Sequence, residues 1–173
     1  QKRNPDVCVP EHQKNVMRDT PWGKMTYLEY KYRVEFNKEQ YDEIDQYCRE
    51  KNIEWSASPW DLDSLQFLMD YDLPWIKIPS AMITNEQLMK ATANTGKKII
   101  FSTGMSTYEE IDQAVKWLNN NEIVMLHCNS TYPAPLEDLN LKCIQTLRER
   151  YDCEVGYSGH EFRLGTTVAA VYL

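Results

Sequence analysis

Short apolar runs and segments of helical spacing alternate along the chain. Five runs rich in β-branched, aromatic and other apolar residues predict β-strands at residues 53–58, 75–80, 98–103, 123–128 and 154–158. Between and around them, apolar residues recur at helical spacing, which predicts amphipathic helices at residues 37–51, 106–120 and 135–150. The second of these helices opens with Ser106 and Glu109 at the spacing of a capping box.

The strand-and-helix unit repeats roughly every 22 to 31 residues, which indicates the α/β class with a parallel sheet. Two architectures compete, a (β/α)8 or TIM barrel and a doubly wound sheet. No GxGxxG or GxxxxGK[ST] motif follows any run, so the nucleotide-binding form of the doubly wound sheet loses its usual support.

Polar side chains gather at the carboxyl end of every predicted strand, and this pattern favours the barrel. They are Ser58, Ser80, Ser102, Thr103, Ser130, Tyr132, Ser158 and His160. Barrel enzymes place their catalytic and binding residues on this face. Because five strands do not close an eight-stranded barrel, we predict a partial TIM barrel. Residues 1–173 would then be the interior part of a single catalytic domain.

The sequence also leads to separate expectations for residues 1–36 and for residues 166–173. Residues 1–36 contain prolines and lysines ahead of the first helical pattern, which predicts a long loop region. Residues 166–173 form an apolar helical pattern without a C-cap glycine. We therefore expect an interior fragment of a longer protein, lacking the first and last units of the barrel.

Charge, apolar runs and cysteine spacing indicate which partners and which cellular location to expect. The formal net charge is −7 and the pI is near 5.0, whereas general nucleic-acid binding needs a basic surface. No apolar run reaches the roughly 18 residues of a membrane span, and no signal peptide opens the chain. The five cysteines show no metal-type spacing, which is typical of a reduced, cytoplasmic protein. Cys128 and Cys143 are expected to be buried as small hydrophobic residues.

Lys77 is the most informative position in the middle of the chain. It lies inside an apolar run, where alternation places Ile76 and Ile78 on the other face of the strand. A buried ammonium group is costly unless an anion accompanies it. That anion is either an acidic neighbour on an adjacent strand or a substrate phosphate or carboxylate.

Three further segments carry candidate chemistry. Residues 102–106 (STGMS) leave a strand and open a helix, so they suit either a bound anion or an ordinary loop. His127 lies within an apolar run and is expected to be a hydrogen-bonded core histidine. Tyr132 precedes a proline and is held extended, so its hydroxyl either points towards the site or packs within the loop.

His160 lies just beyond the last predicted strand, within the stretch YSGHE. A histidine at such a place is either an exposed loop residue or a metal ligand or acid/base group. A metal site needs more ligands than the neighbouring sequence offers. If His160 binds a metal, we expect a partner ligand from outside this chain.

Six motifs together resemble the sialic acid synthase family, which includes the N-acetylneuraminate, legionaminic acid and pseudaminic acid synthases. They are WGKMTYLEYKYRVEF (22–36), SASPWD (56–61), KIPSAMITN (77–85), FSTGMST (101–107), LHCNSTYPAPLEDLNL (126–141) and VGYSGHE (155–161). Each motif alone is weakly specific, but all six occur in the family's order and spacing from end to end of the chain.

The resemblance implies a TIM barrel that condenses phosphoenolpyruvate with an N-acetylated hexosamine of the N-acetylmannosamine type. The product is a nine-carbon 2-keto sugar acid such as N-acetylneuraminate, and phosphate is released. The resemblance also implies a divalent metal, Mn²⁺ or Mg²⁺, which polarises the sugar aldehyde. It further implies that the parent protein is a homodimer with a C-terminal antifreeze-like domain, which we expect to lie outside this chain.

Residue roles follow from the resemblance position by position. Phosphoenolpyruvate binding falls on Ser58, Lys77, Ser80, Ser102, Ser130 and Ser158. Tyr132 falls where the sugar is contacted, and His160 on a metal ligand. We take Tyr132 and Lys77 as the catalytic candidates. Ser130 replaces an asparagine found in some members of the family.

One departure concerns the acceptor sugar. Many family members carry a sugar-contacting glutamate at the position of Met82. By the resemblance, three further functional residues of the family lie outside this chain: the first-strand glutamate, a lysine ahead of Gln1 and the second metal histidine. We therefore expect the fragment alone to be inactive. Two other functions therefore stay open: a synthase for another surface-polysaccharide sugar, and a non-catalytic barrel that binds a sugar phosphate or a partner protein.

Overall fold

The computed structural model describes residues 2–118 and 121–173. The chain forms two compact units, Gln1–Pro74 and Trp75–Leu173. Within the described residues, no helix is both long and apolar enough to cross a lipid bilayer.

The first unit contains more regular structure than its sequence pattern predicts. Its elements are the helices α1 (Pro5–Cys8) and α2 (Glu11–Lys14), the hairpin strands β1 (Met17–Thr20) and β2 (Gly23–Thr26), and the helices α3 (Tyr27–Val34), α4 (Lys38–Lys51) and α5 (Leu62–Leu68). The predicted long loop at residues 1–36 is therefore wrong. A capping box in which Thr26 and Glu29 bond each other's backbone N–H groups starts α3, and this signal was present in the sequence.

The helix predicted at residues 37–51 is confirmed as α4. Asn37 and Gln40 form its capping box, and Asn52 ends it with a left-handed backbone conformation (φ 52°). The buried Tyr41 faces an aromatic cluster in which Phe67 and Tyr71 also take part.

The strand predicted at residues 53–58 is wrong, because this segment carries no regular secondary structure. Trp55 fixes the segment through its side chain, whose ring packs against Tyr71 and whose indole N–H donates to Asp45 (2.9 Å). Strand propensity produces a strand only where a neighbouring strand can pair with it. Within residues 2–118 and 121–173 the parallel sheet therefore has four strands, whereas the sequence pattern predicts five.

The second unit is an α/β structure built on four parallel strands. In order, it contains β3 (Trp75–Ile78), α6 (Glu86–Ala93), β4 (Lys98–Ser102), α7 (Tyr108–Leu118), β5 (Ile123–His127), α8 (Cys143–Arg150), β6 (Glu154–Tyr157) and α9 (Leu164–Tyr172). The strands lie in the order β3-β4-β5-β6, so each pairs with its neighbour in sequence. Four of the five predicted strands are confirmed.

The two faces of this sheet differ in burial. Ile76, Ile99 and Met125 are fully buried on one face, whereas Ile100 and Val124 are only half-buried on the other. Parallel pairing places Lys77 opposite Ile100, so Lys77 lies on the half-buried face as the alternation predicts.

Two predicted helices differ from the observed ones in their bounds. α7 begins at Tyr108, and its capping box is formed by Thr107 and Glu110, one residue later than the predicted Ser106 and Glu109. The last two residues of the predicted segment 106–120 lie outside the described residues. The segment 135–150 contains a 3₁₀ turn (Leu136–Asp138) followed by α8.

Cys128 is buried as expected, and Cys143 is half-buried.

We expect Ile99→Ala to destabilise the fold by about 2 to 5 kcal/mol, because it leaves a cavity in a fully buried layer. Ile100→Ala is the matched control, since it makes the same change on the half-buried face and should cost about 1 kcal/mol. Urea unfolding followed by circular dichroism measures both values. Equal losses would contradict the assignment of the two faces.

Candidate functional site

Lys77 is held on β3 without a carboxylate partner. Its ammonium donates hydrogen bonds to the Ser102 hydroxyl (2.7 Å) and to the Ile78 carbonyl (2.8 Å). No carboxylate within residues 2–118 and 121–173 lies at salt-bridge distance from it. Of the two alternatives for the anion, the acidic neighbour is therefore not found in the described part of the chain.

Burial lowers the pKa of Lys77 to about 8, and the nearby Cys128 side chain acts in the opposite direction. Ser102, which receives the hydrogen bond, is only 4% exposed. The two acceptors of the ammonium, the Ser102 hydroxyl and the Ile78 carbonyl, are neutral oxygens, so they do not compensate its charge. An anion entering beside Lys77 would supply that compensation.

A second group of hydroxyls and a thiol surrounds Gly104 in the loop after β4. The Ser80 hydroxyl accepts a hydrogen bond from the Gly104 N–H (3.1 Å) and lies 3.1 Å from the Cys128 sulfur. We call Lys77, Ser80, Ser102, Gly104, Cys128 and Ser130 the anion cluster. They follow or belong to three adjacent strands, β3, β4 and β5.

Gly104 is required here for space. A Cβ atom at this position would collide with the Ser130 hydroxyl and would lie 2.7 Å from the Cys128 sulfur and 2.9 Å from the Ser80 hydroxyl. The positive φ of this loop belongs to the next residue, Met105 (62°). The glycine thus lets these side chains converge on the backbone N–H group.

Ser158 and His160 follow the last strand. The Ser158 N–H donates to the His127 carbonyl (2.9 Å), which extends the pairing of β5 and β6 by one step. The Ala134 N–H donates to the His160 carbonyl (3.1 Å), so the loops after the two strands are joined. The loop carrying YSGHE is therefore attached to the loop that carries Tyr132.

Tyr132 and His160 form a stacked pair. Their ring centroids are 4.0 Å apart, and the Tyr132 hydroxyl lies 3.0 Å from the Nε2 atom of His160. The other ring nitrogen, Nδ1, lies 2.5 Å from the Asn129 carbonyl and must donate its proton there. This arrangement leaves the Nε2 lone pair facing the Tyr132 hydroxyl. Tyr132 as a whole residue is 76% exposed.

The geometry of His160 suits one metal ligand, because metal-binding histidines usually donate their second N–H to a backbone carbonyl or carboxylate. The remaining ligands are not supplied nearby. In the part of the chain that the structure describes, no group of three or more His, Cys, Asp and Glu side chains could hold a metal ion. The described residues therefore do not form a complete metal site around His160.

Glu161 supports this loop and was missed by the sequence patterns. It accepts hydrogen bonds from the Tyr157 hydroxyl (2.9 Å) and from the Thr166 hydroxyl. Burial acts to raise the pKa of the Glu161 carboxyl, but these hydrogen bonds leave it below its usual value. Burial and the bond to Glu161 raise the pKa of Tyr157. The sequence signal that could have identified Glu161 is its position directly after His160.

Ser58, Met82 and His127 are the remaining candidates from the sequence. Ser58 belongs to the first unit, in the segment without regular secondary structure. Met82 is half-buried and ends the 3₁₀ turn Ser80–Met82. His127 is half-buried, and its Nε2 atom lies 2.7 Å from the Leu139 carbonyl, which agrees with a hydrogen-bonded structural histidine.

The NeuB family model matches residues 1–173. The chain belongs to the NeuB family. It is 38% identical over 159 residues to the N-acetylneuraminate-9-phosphate synthase of Drosophila melanogaster, covering 90% of this chain and 42% of that protein. It is 37% identical over 146 residues to the N,N'-diacetyllegionaminic acid synthase of Campylobacter jejuni, covering 82% of this chain and 44% of that protein.

A solved structure agrees with this assignment. The N-acetylneuraminic acid synthetase of Leptospira borgpetersenii serovar Hardjo-bovis, crystallised with citrate, superimposes with a TM-score of 0.80 at 32% identity. The match covers 83% of this NeuB-family chain and 51% of the synthetase. The chain thus spans about half the length of the relatives it matches.

We expect Gly104→Ala to destabilise the protein by about 1 to 3 kcal/mol, because the added methyl group meets three packed side chains. Gly165→Ala in α9 is the matched control, since a Cβ there meets no atom within 4 Å and should stabilise the helix by about 0.5 to 1 kcal/mol. Thermal unfolding measures both effects. A harmless Gly104→Ala change would contradict the close packing.

Proposed function

We propose that this chain is part of a synthase that condenses phosphoenolpyruvate with an N-acetylated hexosamine, forming a nine-carbon 2-keto sugar acid such as N-acetylneuraminate. The observation that carries the proposal is the half-buried Lys77 ammonium, which donates to a hydroxyl and a carbonyl. Membership of the NeuB family, whose relatives are named as synthases of such acids, supports it.

In this proposal the anion cluster binds the phosphate and carboxylate of phosphoenolpyruvate. Lys77 supplies the charge, and a charged donor makes stronger hydrogen bonds to phosphate than a neutral one. The hydroxyls of Ser80, Ser102 and Ser130 donate further hydrogen bonds. Ser58 and Ser158 join them by their resemblance to the family's positions. The citrate in the Leptospira synthetase is a carboxylate anion, which agrees with an anion site in that protein.

The reaction proposed is a C–C bond-forming transfer. The methylene carbon of phosphoenolpyruvate forms a bond with the sugar's aldehyde carbon, and the aldehyde oxygen takes up a proton. Water adds to the cationic carbon that results, and the phosphate group then leaves. Lys77 holds the phosphate that departs, and Tyr132 contacts the sugar from the loop after β5.

His160 is proposed as one ligand of a divalent metal, Mn²⁺ or Mg²⁺, with the other ligands supplied from outside the described residues. Such an ion polarises a carbonyl group as a Lewis acid. The Asn129 carbonyl fixes the ring so that Nε2 is the coordinating atom. Tyr132 has to release its contact with Nε2 before the nitrogen can serve as a ligand.

We also propose a barrel architecture, a cellular location and an oligomeric state for the protein. The four parallel strands would belong to a (β/α)8 barrel in a cytoplasmic, homodimeric protein. A polar edge at the carboxyl ends of β3 to β6 supports the barrel, because barrels build their sites there.

A synthase for another surface sugar is the second candidate, and Met82 favours it. The position has no carboxylate with which to bind a sugar hydroxyl. A product assay decides between the two: full-length protein is incubated with phosphoenolpyruvate and a panel of acetamido sugars, and products are read by mass. A nine-carbon acid from N-acetylmannosamine supports the first candidate, whereas no product with any sugar would contradict both and leave a non-catalytic sugar-phosphate-binding barrel.

We expect Lys77→Ala to weaken phosphoenolpyruvate binding about ten- to hundredfold while sugar binding changes little, because a charged hydrogen bond is lost. Lys98→Ala is the matched control, since Lys98 begins the adjacent strand β4 and pairs with Glu122 (2.8 Å). Calorimetric titration of the full-length protein measures both ligands. Unchanged phosphoenolpyruvate affinity in Lys77→Ala would contradict the role.

The same binding should depend on pH. Lys77 is protonated below a pKa of about 8 and neutral above it. The unliganded site therefore attracts the anion most strongly below pH 8, and the dissociation constant should rise up to about tenfold per pH unit above it. Titrations from pH 6.5 to 9.5 measure this rise, and Lys77→Ala should remove it. A flat profile in the unsubstituted protein would contradict a titrating Lys77.

We expect His160→Ala to weaken Mn²⁺ binding about tenfold or more, because one ligand nitrogen is lost. His12→Ala is the matched control, since His12 is exposed on α2 in the first unit. Electron paramagnetic resonance of free Mn²⁺ gives both affinities without a turnover assay. If His160→Ala bound Mn²⁺ as tightly as His12→Ala, the ligand role would be wrong.

A further inference from the structure

A cavity of about 650 Å³ lies between the loop after β4 and the loop after β5. Apolar side chains from the facing helices α7 and α8, such as Ile111 and Leu147, line it. His127 also lines it, and this residue packs towards Leu139 and Tyr157. We call this cavity the lateral pocket. Its volume suits a small molecule of sugar size.

The lateral pocket is separate from the residues assigned to the reaction. Lys77, Tyr132 and His160 are not among the described residues that line it. Cys128 and Ser130 line it and also belong to the anion cluster, so the two sites share one stretch of loop.

The charge of the pocket excludes an anionic ligand. Its described lining contains no lysine or arginine, and Asp138 supplies a carboxylate. Arg150 lies nearby over the Tyr108 ring, but its guanidinium is bonded to the Asp112 carboxylate (2.6 and 3.2 Å). A phosphate or carboxylate entering the pocket would meet a negative group with no free cation among the lining residues.

Asp138 is an exposed residue whose backbone is held in place. Its backbone carbonyl accepts hydrogen bonds from the side-chain amides of Asn129 and Asn140 (3.2 Å each). Its carboxylate forms no hydrogen bond or ion pair with the residues that the structure describes. Both carboxylate oxygens can therefore accept hydrogen bonds from a ligand.

The other walls suit a polyhydroxylated ligand. The hydroxyls of Ser106, Thr107 and Thr131 supply small polar groups on two sides. Tyr108 stands at the start of α7 with 39% of its surface exposed, and Arg150 holds its ring from one side. An aromatic ring packs against the C–H face of a sugar while carboxylate and hydroxyl groups bind its hydroxyls.

We propose that the lateral pocket binds a neutral sugar at a second site, distinct from the site of the reacting sugar. The proposal does not depend on the condensation reaction, because the residues that would recognise the sugar, Asp138 and Tyr108, have no part in that reaction. The ligand class is a neutral acetamido or simple hexose, and its phosphorylated form is disfavoured by Asp138.

The test uses full-length protein carrying Tyr132→Ala, which disables the reacting-sugar site while changing only an exposed side chain. N-acetylmannosamine is titrated by calorimetry, and contact is checked by saturation-transfer NMR. We expect binding to persist in this background. Adding Asp138→Asn should weaken it about tenfold, as expected for a charged hydrogen bond. Adding Glu137→Gln, the same change on the preceding exposed residue outside the pocket, should leave it unchanged.

A second probe tests the charge argument. In the Tyr132→Ala background, N-acetylmannosamine 6-phosphate should bind about tenfold more weakly than the neutral sugar, and Asp138→Asn should reduce that difference. Loss of all sugar binding in Tyr132→Ala, or equal affinities in Asp138→Asn and Glu137→Gln, would overturn the proposal. Tighter binding of the phosphate would also overturn it. Failure of the condensation would appear in the product assay instead, so the two outcomes are distinguishable.

Discussion

Parallel pairing of β3, β4, β5 and β6 determines where every candidate group of the second unit lies. Because all four strands run in one direction and stay in register, the residues that follow them meet at one edge of the sheet. Backbone bonds from Thr103 to Leu126 and from Ser158 to His127 continue the pairing into the loops. Hydroxyls that are far apart in sequence are thereby brought within contact distance.

Within this frame, Lys77 is the group whose placement costs most. Its neighbours Ile76 and Ile78 are fully buried on the opposite face of β3, so the strand cannot rotate to expose the ammonium. Burial lowers the pKa of Lys77, and its hydrogen-bond partners, the Ser102 hydroxyl and the Ile78 carbonyl, are neutral. A site that keeps an uncompensated cation among hydroxyls is disposed to bind an anion, which connects the packing of the sheet to the proposed chemistry.

The loop after β5 contributes residues to two sites of different charge, the anion cluster and the lateral pocket. Cys128 and Ser130 border the anion cluster, whereas Asp138 on the same loop makes the lateral pocket acidic. Cation and carboxylate therefore stand at different sites, so a phosphate and a neutral sugar would be drawn to different places. Tyr132 and His160 form a third group, in which the tyrosine hydroxyl faces the Nε2 atom of the histidine.

Periodicity alone determined four of the strands, helix α4 and the face on which Lys77 lies, because these depend on local alternation of polar and apolar residues. The resemblance to the family came from motif order. Tertiary structure decided the rest. It left residues 53–58 without a strand, since pairing depends on a distant partner. It also showed that Gly104 provides space for three side chains and that Asp138 lines the same pocket as Tyr108, which are relations between distant residues that no local pattern records.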